Sequence, residues 1–292
     1  MSLPFSYDEF TGRNIGFLTP DQQEKLANAT VFVCGTGGMG GACIMSLVRA
    51  GVGRLIIADL DGFEVSNLNR QLFATLDTID QHKAEATKEA CLKINPQVRV
   101  DIHREDWPEH IDSIMHSCDV AVNGCDDLGG SLLLYRSARN HGKTVIDAYA
   151  SPLPSVYVTA PKDPMPEERL DYPTIGTDWN DLTDEQRTLS FLREAEHIVL
   201  HSSSRNYVDV KMAGEVASGK RSRMSFAPMV ITTGMLMSYE VFAVLLGQVS
   251  STGCRGYFFN PYRARVEHPK PIWQTIFLRP LVRRFLTKMQ GT

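Results

Sequence analysis

The chain has 292 residues, of which 43% are hydrophobic and 22% charged, and its formal net charge is −4. This length fits one large α/β domain, or one domain with an insertion, with enough apolar residues for a full core. A slightly acidic chain is unlike a dedicated nucleic-acid binder. Its six cysteines form no C-x-x-C pair, and the sequence shows neither a secretory signal nor an uninterrupted apolar run of about 20 residues. We therefore expect a cytoplasmic protein without a membrane span.

The first predicted element is a short helix that begins at Thr19-Pro20 and runs through Ala27. Threonine is a favourable N-cap, proline suits the first helical turn, and Gln22 is placed to complete a capping box. Arg13 precedes this helix, and an isolated arginine is most often a solvated surface charge. Residues 1–29 are therefore predicted to form an N-terminal helical segment.

The stretch from Thr30 to Arg70 carries the strongest pattern in the chain. An apolar run at 31–34 leads into a glycine-rich turn and then a helical pattern at 39–50. A second apolar run, at 55–58, ends at an acidic residue. The order strand, glycine turn, helix, strand and acid is typical of a nucleotide-binding α/β fold.

The turn contains a G-x-G-x-x-G motif made by Gly35, Gly37 and Gly40, and Asp59 follows 19 residues after the last glycine. Such glycines let the backbone approach a phosphate, and the helix N-terminus offers free N–H groups. The acid can take a ribose hydroxyl. The motif alone predicts only a nucleotide site, because NAD, FAD, SAM and ATP folds all use it.

A polar run, 66–71, follows the second strand with the sequence Ser-Asn-Leu-Asn-Arg-Gln. A dehydrogenase has no need for an arginine and amides here, whereas a triphosphate needs fixed, charge-assisted donors. Asp61 alternates with Asp59 across the strand end, so the two cannot face the same way if the strand continues. Asp61 either holds this loop, helps to place a metal, or forms a turn before Gly62.

Lys83 lies at the start of a helix predicted to run from Asp80 to about Ile94. An acid in the first turn of a helix suits the helix dipole, but a lysine there does not. Lys83 is therefore either a surface lysine or a group that serves an anion, and the unfavourable local electrostatics favour the second interpretation.

Two further acids follow the strand predicted at 120–122. Asp126 and Asp127 reach the carboxyl edge of the sheet, where open α/β sheets bind ligands. A carboxylate at this position suits Mg²⁺, which prefers one or two carboxylates together with phosphate oxygens and water. The alternative is that both acids cap the helix predicted at 128–140.

The remaining elements of the first half alternate strands and helices. Strands are predicted at 98–102, 144–146 and 156–159, and a helix begins at Trp107-Pro108. Alternation of this kind predicts a Rossmann-like, doubly wound α/β fold whose sheet is mostly parallel, with right-handed crossovers.

The second half is less regular. Residues 161–206 contain four prolines and many acids, and a loop of this length is normally functional. A helix is predicted within it from about Asp184 to Glu196. His197, His201 and the serines at 202–204 resemble a catalytic cluster, but no nucleophile elbow or positioned base is visible. We therefore interpret them as a polar loop.

Two apolar segments follow. The run 226–246 contains Glu240, which is costly in lipid, so we interpret it as a buried core helix. The segment after Cys254 is basic and aromatic and ends in an amphipathic helix. Its predicted apolar face consists of Leu281, Val282, Phe285, Leu286 and Met289, opposite Arg283, Arg284 and Lys288. This helix either docks on the domain or contacts a partner, a membrane surface or RNA.

The combined motifs resemble the ThiF/MoeB/ubiquitin-activating-enzyme (HesA/MoeB/ThiF) superfamily of ATP-dependent adenylyltransferases. The run D-x-D-x-x-x-x-S-N-L-N-R-Q, from Asp59 to Gln71, carries the likeness. It extends well over residues 10–160 and weakly over 220–247. The resemblance implies an ATP-binding Rossmann-like domain at 30–160, a crossover or substrate loop at 161–225, and a C-terminal helix and basic tail at 226–292.

The resemblance also implies a role for each polar residue of the cleft. The glycine turn and Asp59 would bind the phosphates and the ribose, and Asp126 would hold Mg²⁺. Arg13 would reach the ATP site of a neighbouring subunit, which implies a homodimer. The implied ligands of ATP are Gly35, Gly37, Gly38, Gly40, Asp59, Asp61, Asn67, Asn69, Arg70, Gln71, Lys83 and Asp126.

The sequence departs from the family pattern in two ways. Many members bind zinc through two C-x-x-C pairs, which this chain lacks, so no structural zinc is expected. Members that form their own thioester keep a cysteine in or after the crossover loop. Here Cys254 is the only late cysteine, and the sequence shows no basic partner fixed in place to lower the pKa of its thiol. This favours transfer of the activated acyl group to another nucleophile.

The implied function is adenylation of a carboxylate on a small protein or peptide. A second hypothesis is a relative of the tRNA threonylcarbamoyladenosine dehydratases, which activate a carboxylate on RNA. The basic tail supports this alternative and the overall acidity opposes it. An NAD-dependent oxidoreductase would leave Arg70 and Lys83 unexplained. A non-catalytic binding partner would have no need for the intact phosphate-binding residues.

Overall fold

The computed structural model describes residues 5–217 and 220–290. Its single sheet has eight strands: β1 Thr30–Cys34, β2 Arg54–Ala58, β3 Arg99–His103, β4 Val120–Asn123, β5 Val145–Asp147, β6 Ser155–Thr159, β7 Tyr257–Asn260 and β8 Arg265–Glu267. Their spatial order is β3-β2-β1-β4-β5-β6-β7-β8. The first five strands pair in parallel and the last three add on in antiparallel register.

The helices are α1 Tyr7–Thr11, α2 Pro20–Asn28, α3 Gly38–Arg49, α4 Lys83–Ile94, α5 Ile111–Ser117, α6 Leu128–Asn140, α7 Pro166–Arg169, α8 Asp184–His201, α9 Val210–Ala217, α10 Ala227–Leu245 and α11 Ile272–Gln290. The mostly parallel, doubly wound α/β fold that the sequence predicts is confirmed. The N-terminal capping box is also confirmed, because the backbone N–H of Gln22 donates to Thr19 Oγ1 and the Thr19 N–H donates to Gln22 Oε1.

Helices cover both faces of the parallel strands. The first core contains side chains of α3, α4 and α10 packed on one face, including Leu47 and Met237. The second contains side chains of α5 and α6 on the other face, including Met115 and Leu134. The parallel strands are buried on both faces, which explains their continuous apolar runs. Strand order reverses direction between β1 and β4, and in sheets of this type ligands bind beyond the carboxyl ends at that point.

One local prediction was wrong, and two features of the sheet were not predicted. α5 begins at Ile111, and Trp107 instead lies in the preceding turn with its ring in the core. β6 runs antiparallel to β5, which ends the parallel alternation. The tail contains an unpredicted hairpin, β7 and β8, and β7 pairs with β6 through Val156 and Tyr257.

α10 is long and apolar enough to cross a membrane by length and composition, and 39% of its apolar window is buried inside the protein. One face packs closely on α3, because a Cβ at Gly234 would lie 2.9 Å from the Cys43 nitrogen. Glu240 is buried and accepts hydrogen bonds from Ser250 and Thr252. The prediction of a core helix therefore holds for the face that packs on α3, whereas Tyr239 on the same helix is exposed.

α11 docks on α8 with charged contacts, and its predicted apolar face lies partly outside the described side chains. Arg279 and Arg283 both contact the buried carboxylate of Glu196. Leu286 is buried, but Leu281 is 64% exposed, so these two residues do not share one buried face. The side chains of Phe285, Lys288 and Met289 lie outside the described part of the helix.

The interpretation of His197 and His201 as part of a polar loop was wrong. α8 continues through both residues. The buried ring of His197 packs against Tyr157 and Phe258 of a third, smaller core, and the ring of His201 packs against that of His197. Burial lowers the pKa of His201 to about 4 and that of His197 well below its ordinary value. Neutral histidines packed in this way are structural residues.

The same region contains a carboxyl group whose burial makes stability depend on pH. Burial raises the pKa of Glu194 to about 7, while the hydrogen bond donated by Tyr172 opposes the rise. Because the folded pKa lies above the unfolded one, stability falls as pH rises from about 4.5 to 7 and then levels off. We expect Glu194→Gln, which keeps the Tyr172 bond, to gain about 2 kcal/mol over the wild type at pH 8.

Urea denaturation of both proteins at pH 5 and at pH 8 checks this expectation. The gain at pH 8 should shrink at pH 5, where the wild-type carboxyl group is mostly protonated. Parallel pH profiles for the two proteins would contradict it.

Candidate nucleotide site

The glycine turn connects β1 to α3 at the point where the strand order reverses. Gly35 has a φ of +91°, and an added Cβ there would collide with the backbone of Gly124, just after β4. A Cβ at Gly40 would collide with the carbonyl of Gly35. The turn therefore packs tightly on itself and on the end of β4, which only glycine permits. Gly37, at the N-cap of α3, has no side chain to cap the helix, so the first-turn N–H groups remain available to an anion.

Asp59 fastens this turn to the end of β2. One carboxylate oxygen accepts the backbone N–H of Thr36 at 2.6 Å and its hydroxyl at 2.9 Å. The other accepts the N–H of Asp61 at 3.0 Å. Both oxygens of Asp59 thus organise the cleft, and the predicted bond to a ribose would be an additional one. Thr36, fully buried between two glycines, was not singled out from the sequence.

Two glycine substitutions should distinguish an effect on protein stability from an effect on ATP binding. We expect Gly40→Ala to destabilise the protein strongly, because its Cβ meets a backbone carbonyl that cannot move cheaply. At Gly37 an added Cβ would have only the Gln71 amide nitrogen nearby, at 3.5 Å, so Gly37→Ala should fold normally. It should nevertheless weaken ATP binding, since a methyl group would occupy the approach to the turn. Thermal unfolding and calorimetric ATP titration measure the two effects; normal ATP affinity in Gly37→Ala would contradict the predicted cradle.

Lys83 is the first residue of α4 and forms an ion pair in the cleft whose two side chains differ strongly in exposure. Its ammonium lies 2.8 Å from Asp61 Oδ2, and its backbone N–H donates to the Asp61 carbonyl, also at 2.8 Å. The Lys83 side chain is only 10% exposed, whereas that of Asp61 is 67% exposed. A buried cation is therefore held by a solvated partner at a helix N-terminus, where the helix dipole favours anions.

Arg70 lies beside the glycine turn, with its Cγ 3.9 Å from where a Gly38 Cβ would be. Its Nη1 donates to the Ser66 carbonyl and to Asn69 Oδ1, both at 2.9 Å. Asn69 also donates to the Ser225 carbonyl, so the arginine is oriented by two segments of the chain. The other two guanidinium nitrogens, Nη2 and Nε, have no hydrogen-bond partner among the described residues. They can donate to a further acceptor.

The two remaining amides of the polar run differ in their surroundings. Asn67 is buried and accepts the Glu64 N–H, closing a short 3₁₀ turn at 65–67. Gln71 is also buried, and its Oε1 has no hydrogen-bond partner within the described residues. The Gln71 amide faces Gly37, so a ligand bound at the glycine turn would lie within its reach. Asn67 therefore shapes the loop, and Gln71 offers an unused polar group to the cleft.

Asp126 and Asp127 have different positions after β4. Asp127 caps α6 by accepting the Gly130 N–H at 2.7 Å, as one of the sequence alternatives proposed. It also contacts Arg187 of α8 at 2.6 Å, which fixes the crossover segment beside the site. Asp126 is exposed at the carboxyl edge of the sheet. It follows by two residues Gly124, which packs against the glycine turn. A solvent-facing carboxylate beside a glycine turn of this kind could serve as a ligand of Mg²⁺, which prefers carboxylate oxygens.

Arg13 does not lie near this cleft. It is exposed in a 3₁₀ turn at 12–14, and its neighbour Asn14 donates to the carbonyl of Ala50. Ala50 is the C-cap of α3, whereas the glycine turn is at the other end of that helix. A helix of twelve residues spans about 18 Å, farther than an arginine side chain extends. Arg13 therefore cannot complete the nucleotide site of its own chain.

The crossover segment and α10 supply contacts that the sequence did not reveal. The carbonyl of Trp179 packs 2.7 Å from where a Cβ at Gly129 would lie, at the N-terminus of α6. Val230, in the first turn of α10, packs over Gly38. These pairings join residues far apart in the chain, so no local pattern could have indicated them.

The cysteines do not form a metal cluster in the described residues, and all six are free. Cys254 is partly buried, and burial raises the pKa of its thiol. Burial raises the pKa of Cys43 and Cys91 as well. A thiol with a raised pKa is a poor nucleophile at neutral pH, and transfer of the acyl group to another nucleophile stays a prediction.

The strand order, the glycine turn at the point of reversal and the surrounding charged groups define a Rossmann-like α/β protein with a nucleotide-type cleft. The model of the ThiF family matches residues 11–272. The chain therefore belongs to the ThiF family, as its motifs predicted.

Two curated relatives match over parts of the chain. It is 34% identical over 132 residues to the sulfur carrier protein adenylyltransferase of Thermus thermophilus, covering 44% of this chain and 47% of that protein. It is 43% identical over 77 residues to the tRNA threonylcarbamoyladenosine dehydratase of Bacillus subtilis, covering 26% and 30%. The chain spans about half the length, or less, of the curated relatives it matches.

Among solved structures, the chain is similar to E. coli MccB in complex with ATP. The TM-score is 0.61 at 17% identity, and the match covers 92% of this chain and 75% of the other. At this level of identity the likeness concerns the fold. With 92% of this chain covered, it is not confined to the parallel strands.

Proposed function

We propose that this protein uses ATP and Mg²⁺ to adenylate a carboxylate on a small protein or peptide. The observation that carries the proposal is the buried ammonium of Lys83, which lies at a helix N-terminus and is paired, among the described residues, with a solvated carboxylate. Such a cation has little structural reason to be there, but it suits a phosphate group. Family membership and the relatives named as adenylyltransferases support the same assignment.

The chemistry requires alignment and charge compensation rather than a protein nucleophile. The carboxylate attacks the α-phosphorus of ATP, the bond to the bridging oxygen breaks, and pyrophosphate leaves. The acyl-adenylate that forms is open to attack by a second nucleophile. The N–H groups of the glycine turn, Arg70 and Lys83 would compensate the phosphate charge, and the Gln71 amide nitrogen, which lies beside Gly37, would donate to a phosphate oxygen.

Asp126 is the proposed ligand of Mg²⁺, which would offset charge on the leaving pyrophosphate. We expect Asp126→Asn to lower the exchange rate between ATP and pyrophosphate at least about 10²-fold, in line with loss of one electrostatic group. Raised Mg²⁺ concentration should restore part of the rate. Because Asp126 is exposed, the thermal unfolding temperature should not change. A normal rate in this variant would place the metal elsewhere.

A peptide or small protein acceptor is supported by the relatives. The T. thermophilus relative is named for a sulfur carrier protein, and MccB has been solved with N-formylated MccA. The second candidate, a carboxylate on RNA, is favoured by the B. subtilis dehydratase match over 77 residues. Net charge −4 opposes RNA, since phosphate contacts need a basic surface.

We further propose that the active form is a homodimer in which Arg13 of each subunit serves the nucleotide site of its partner. Arg13 is exposed and lies about one helix length from its own glycine turn. A two-fold symmetric pair could bring each arginine to the opposite cleft.

The experiment that tests the function is ATP–pyrophosphate exchange in the presence of candidate acceptors. Exchange that depends on a peptide or protein ending in a free carboxylate is expected. Exchange with transfer RNA alone would favour the second candidate. Binding of NADH without binding of ATP would overturn both.

A further inference from the structure

A group of possible metal ligands lies at the same edge of the sheet, two strands away from the glycine turn. It consists of His103, Asp106 and His110, each of which offers one ligand atom within 4.8 Å of the other two. None of these residues belongs to the nucleotide site described above. Their spacing, H-x₂-D-x₃-H, places them all on one short connection between β3 and α5.

The fold holds both ends of this connection. His103 is the last residue of β3 and pairs with Ala58 at the end of β2. Val100 and Ile102 point into the core beneath α3 and α4, so His103 points to the opposite face, toward α5. His110 is the N-cap residue of α5. The two imidazoles are therefore positioned by elements of the core.

The turn between the two histidines is anchored as well. Trp107 is buried, with its ring 6.3 Å from that of Phe32. Asp106 Oδ1 accepts the Arg104 N–H at 3.1 Å, and Oδ2 is left facing His110 Nε2 at 3.3 Å. Arg104 itself is paired with Glu85 at 2.8 Å, so it does not occupy the carboxylate with its side chain.

The distances suit a tetrahedral ion. With bonds of about 2.0–2.2 Å, the ligand atoms of a tetrahedral site lie about 3.3–3.6 Å apart. Asp106 and His110 already have that separation. The His103 ligand atom lies within 4.8 Å of the other two, so binding the ion requires its ring to move closer to them.

A simple ion pair does not explain the arrangement. Asp106 and His110 are about half exposed, and a pair of this kind contributes little to stability. An ion pair also has no need for the third group, His103, or for a carboxylate whose second oxygen is fixed by the backbone. Two imidazoles and a carboxylate select late transition metals over magnesium.

We propose that His103, Asp106 and His110 bind a divalent transition-metal ion of the zinc class, separate from the magnesium site at Asp126. Three protein ligands leave a fourth position for water. Bound metal would tie the end of β3 to the start of α5. The site therefore should stabilise the fold whether or not a nucleotide is present.

The test uses Co²⁺ as a spectroscopic probe on the untagged, full-length chain, without nucleotide and with excess Mg²⁺ to fill oxygen-only sites. We expect one equivalent of Co²⁺ to give visible absorption typical of four-coordinate cobalt and to raise the unfolding temperature. One equivalent of Zn²⁺ should then abolish the absorption. His110→Ala and Asp106→Asn should each weaken Co²⁺ binding by at least about tenfold. Loss of a residue that only supports a metal ligand already lowers metal affinity by about that factor, and loss of a ligand should cost more.

The matched control is His141→Ala. His141 lies 3.8 Å from Asp112, and within the described residues this pair belongs to no group of three possible metal ligands. Co²⁺ binding should therefore not change. His110 and Asp106 are exposed enough for their variants to fold, which metal-free thermal unfolding checks. Absence of saturable Co²⁺ absorption, or equal binding by His110→Ala and the wild type, would overturn the proposal. Because no nucleotide is present, this outcome is independent of the adenylation proposal.

Discussion

Replacing Lys83 by methionine is expected to lower ATP–pyrophosphate exchange about 10²–10³-fold while the protein stays folded. The lysine contributes a desolvated positive charge that would meet the phosphates only when the nucleotide binds. Its removal leaves Asp61 without a partner, but the Asp61 side chain is 67% exposed, so water can solvate it. Methionine fills a similar volume among the neighbours of the aliphatic stem. Exchange kinetics and urea denaturation measure the two effects.

The reciprocal substitution should behave differently. Asp61→Ala leaves the ammonium of Lys83, only 10% exposed, without its counter-ion. We expect a loss of about 1–3 kcal/mol in unfolding free energy, the usual cost of an unsatisfied buried group. Bound ATP should reverse part of this loss, because the phosphates replace the missing carboxylate.

Lys93→Met is the matched control, since Lys93 is an exposed lysine in the last turn of the same helix, α4. It should keep both exchange activity and stability near wild-type values. If Lys83→Met retained full exchange activity, the cation would be structural and the phosphate role of this cleft would be wrong.

The sequence predicted the cleft better than it predicted the contacts inside it. Strand, glycine turn, helix and acid are local patterns, and each depends on neighbouring residues in the chain. The position of Lys83 was noticed because its charge conflicts with the helix dipole, which is also a local argument. The parallel half of the sheet could therefore be predicted in order and almost to the residue.

What the sequence did not predict depends on residues far apart in the chain. β7 pairs with β6 across about a hundred residues, and its aromatic run lies in a basic context that does not resemble a core strand. The role of Asp59 in fastening Thr36 requires two strand ends to meet. Likewise, the burial of His197 depends on Tyr157 from another element. Burial by a distant partner leaves no trace in a local pattern.

The roles of the cleft residues also differ in how directly the structure supports them. Arg70 and Lys83 are held beside the glycine turn and at the start of α4 by named contacts. Arg13 differs from them, because it cannot reach the cleft of its own chain. It could contact ATP only in the cleft of a partner subunit. This difference permits a test in which two inactive chains are combined.

A mixture of Arg13→Ala and Lys83→Met chains, co-expressed in equal amounts, should recover about a quarter of the wild-type exchange rate per chain. If the chains pair at random, half of the dimers contain one chain of each variant. In such a dimer, Arg13 of each chain would serve the cleft of the other. One cleft of such a pair carries both defects, and the other carries an intact Lys83 and receives an intact Arg13. Each variant alone should be about 10²–10³-fold impaired, so the recovered rate would exceed either parent clearly.

The control is a mixture of Lys83→Met with Asp126→Asn chains. Both residues belong to the cleft of one chain, so a mixed pair has one defect in each site and recovers nothing. Both mixtures must show the mass of a dimer at the assay concentration. A rate for the first mixture equal to the mean of its parents would show that Arg13 does not serve a neighbouring cleft. Because Arg13 cannot reach the cleft of its own chain, a strong defect in Arg13→Ala without recovery would then have to come from folding, which urea denaturation of that variant measures.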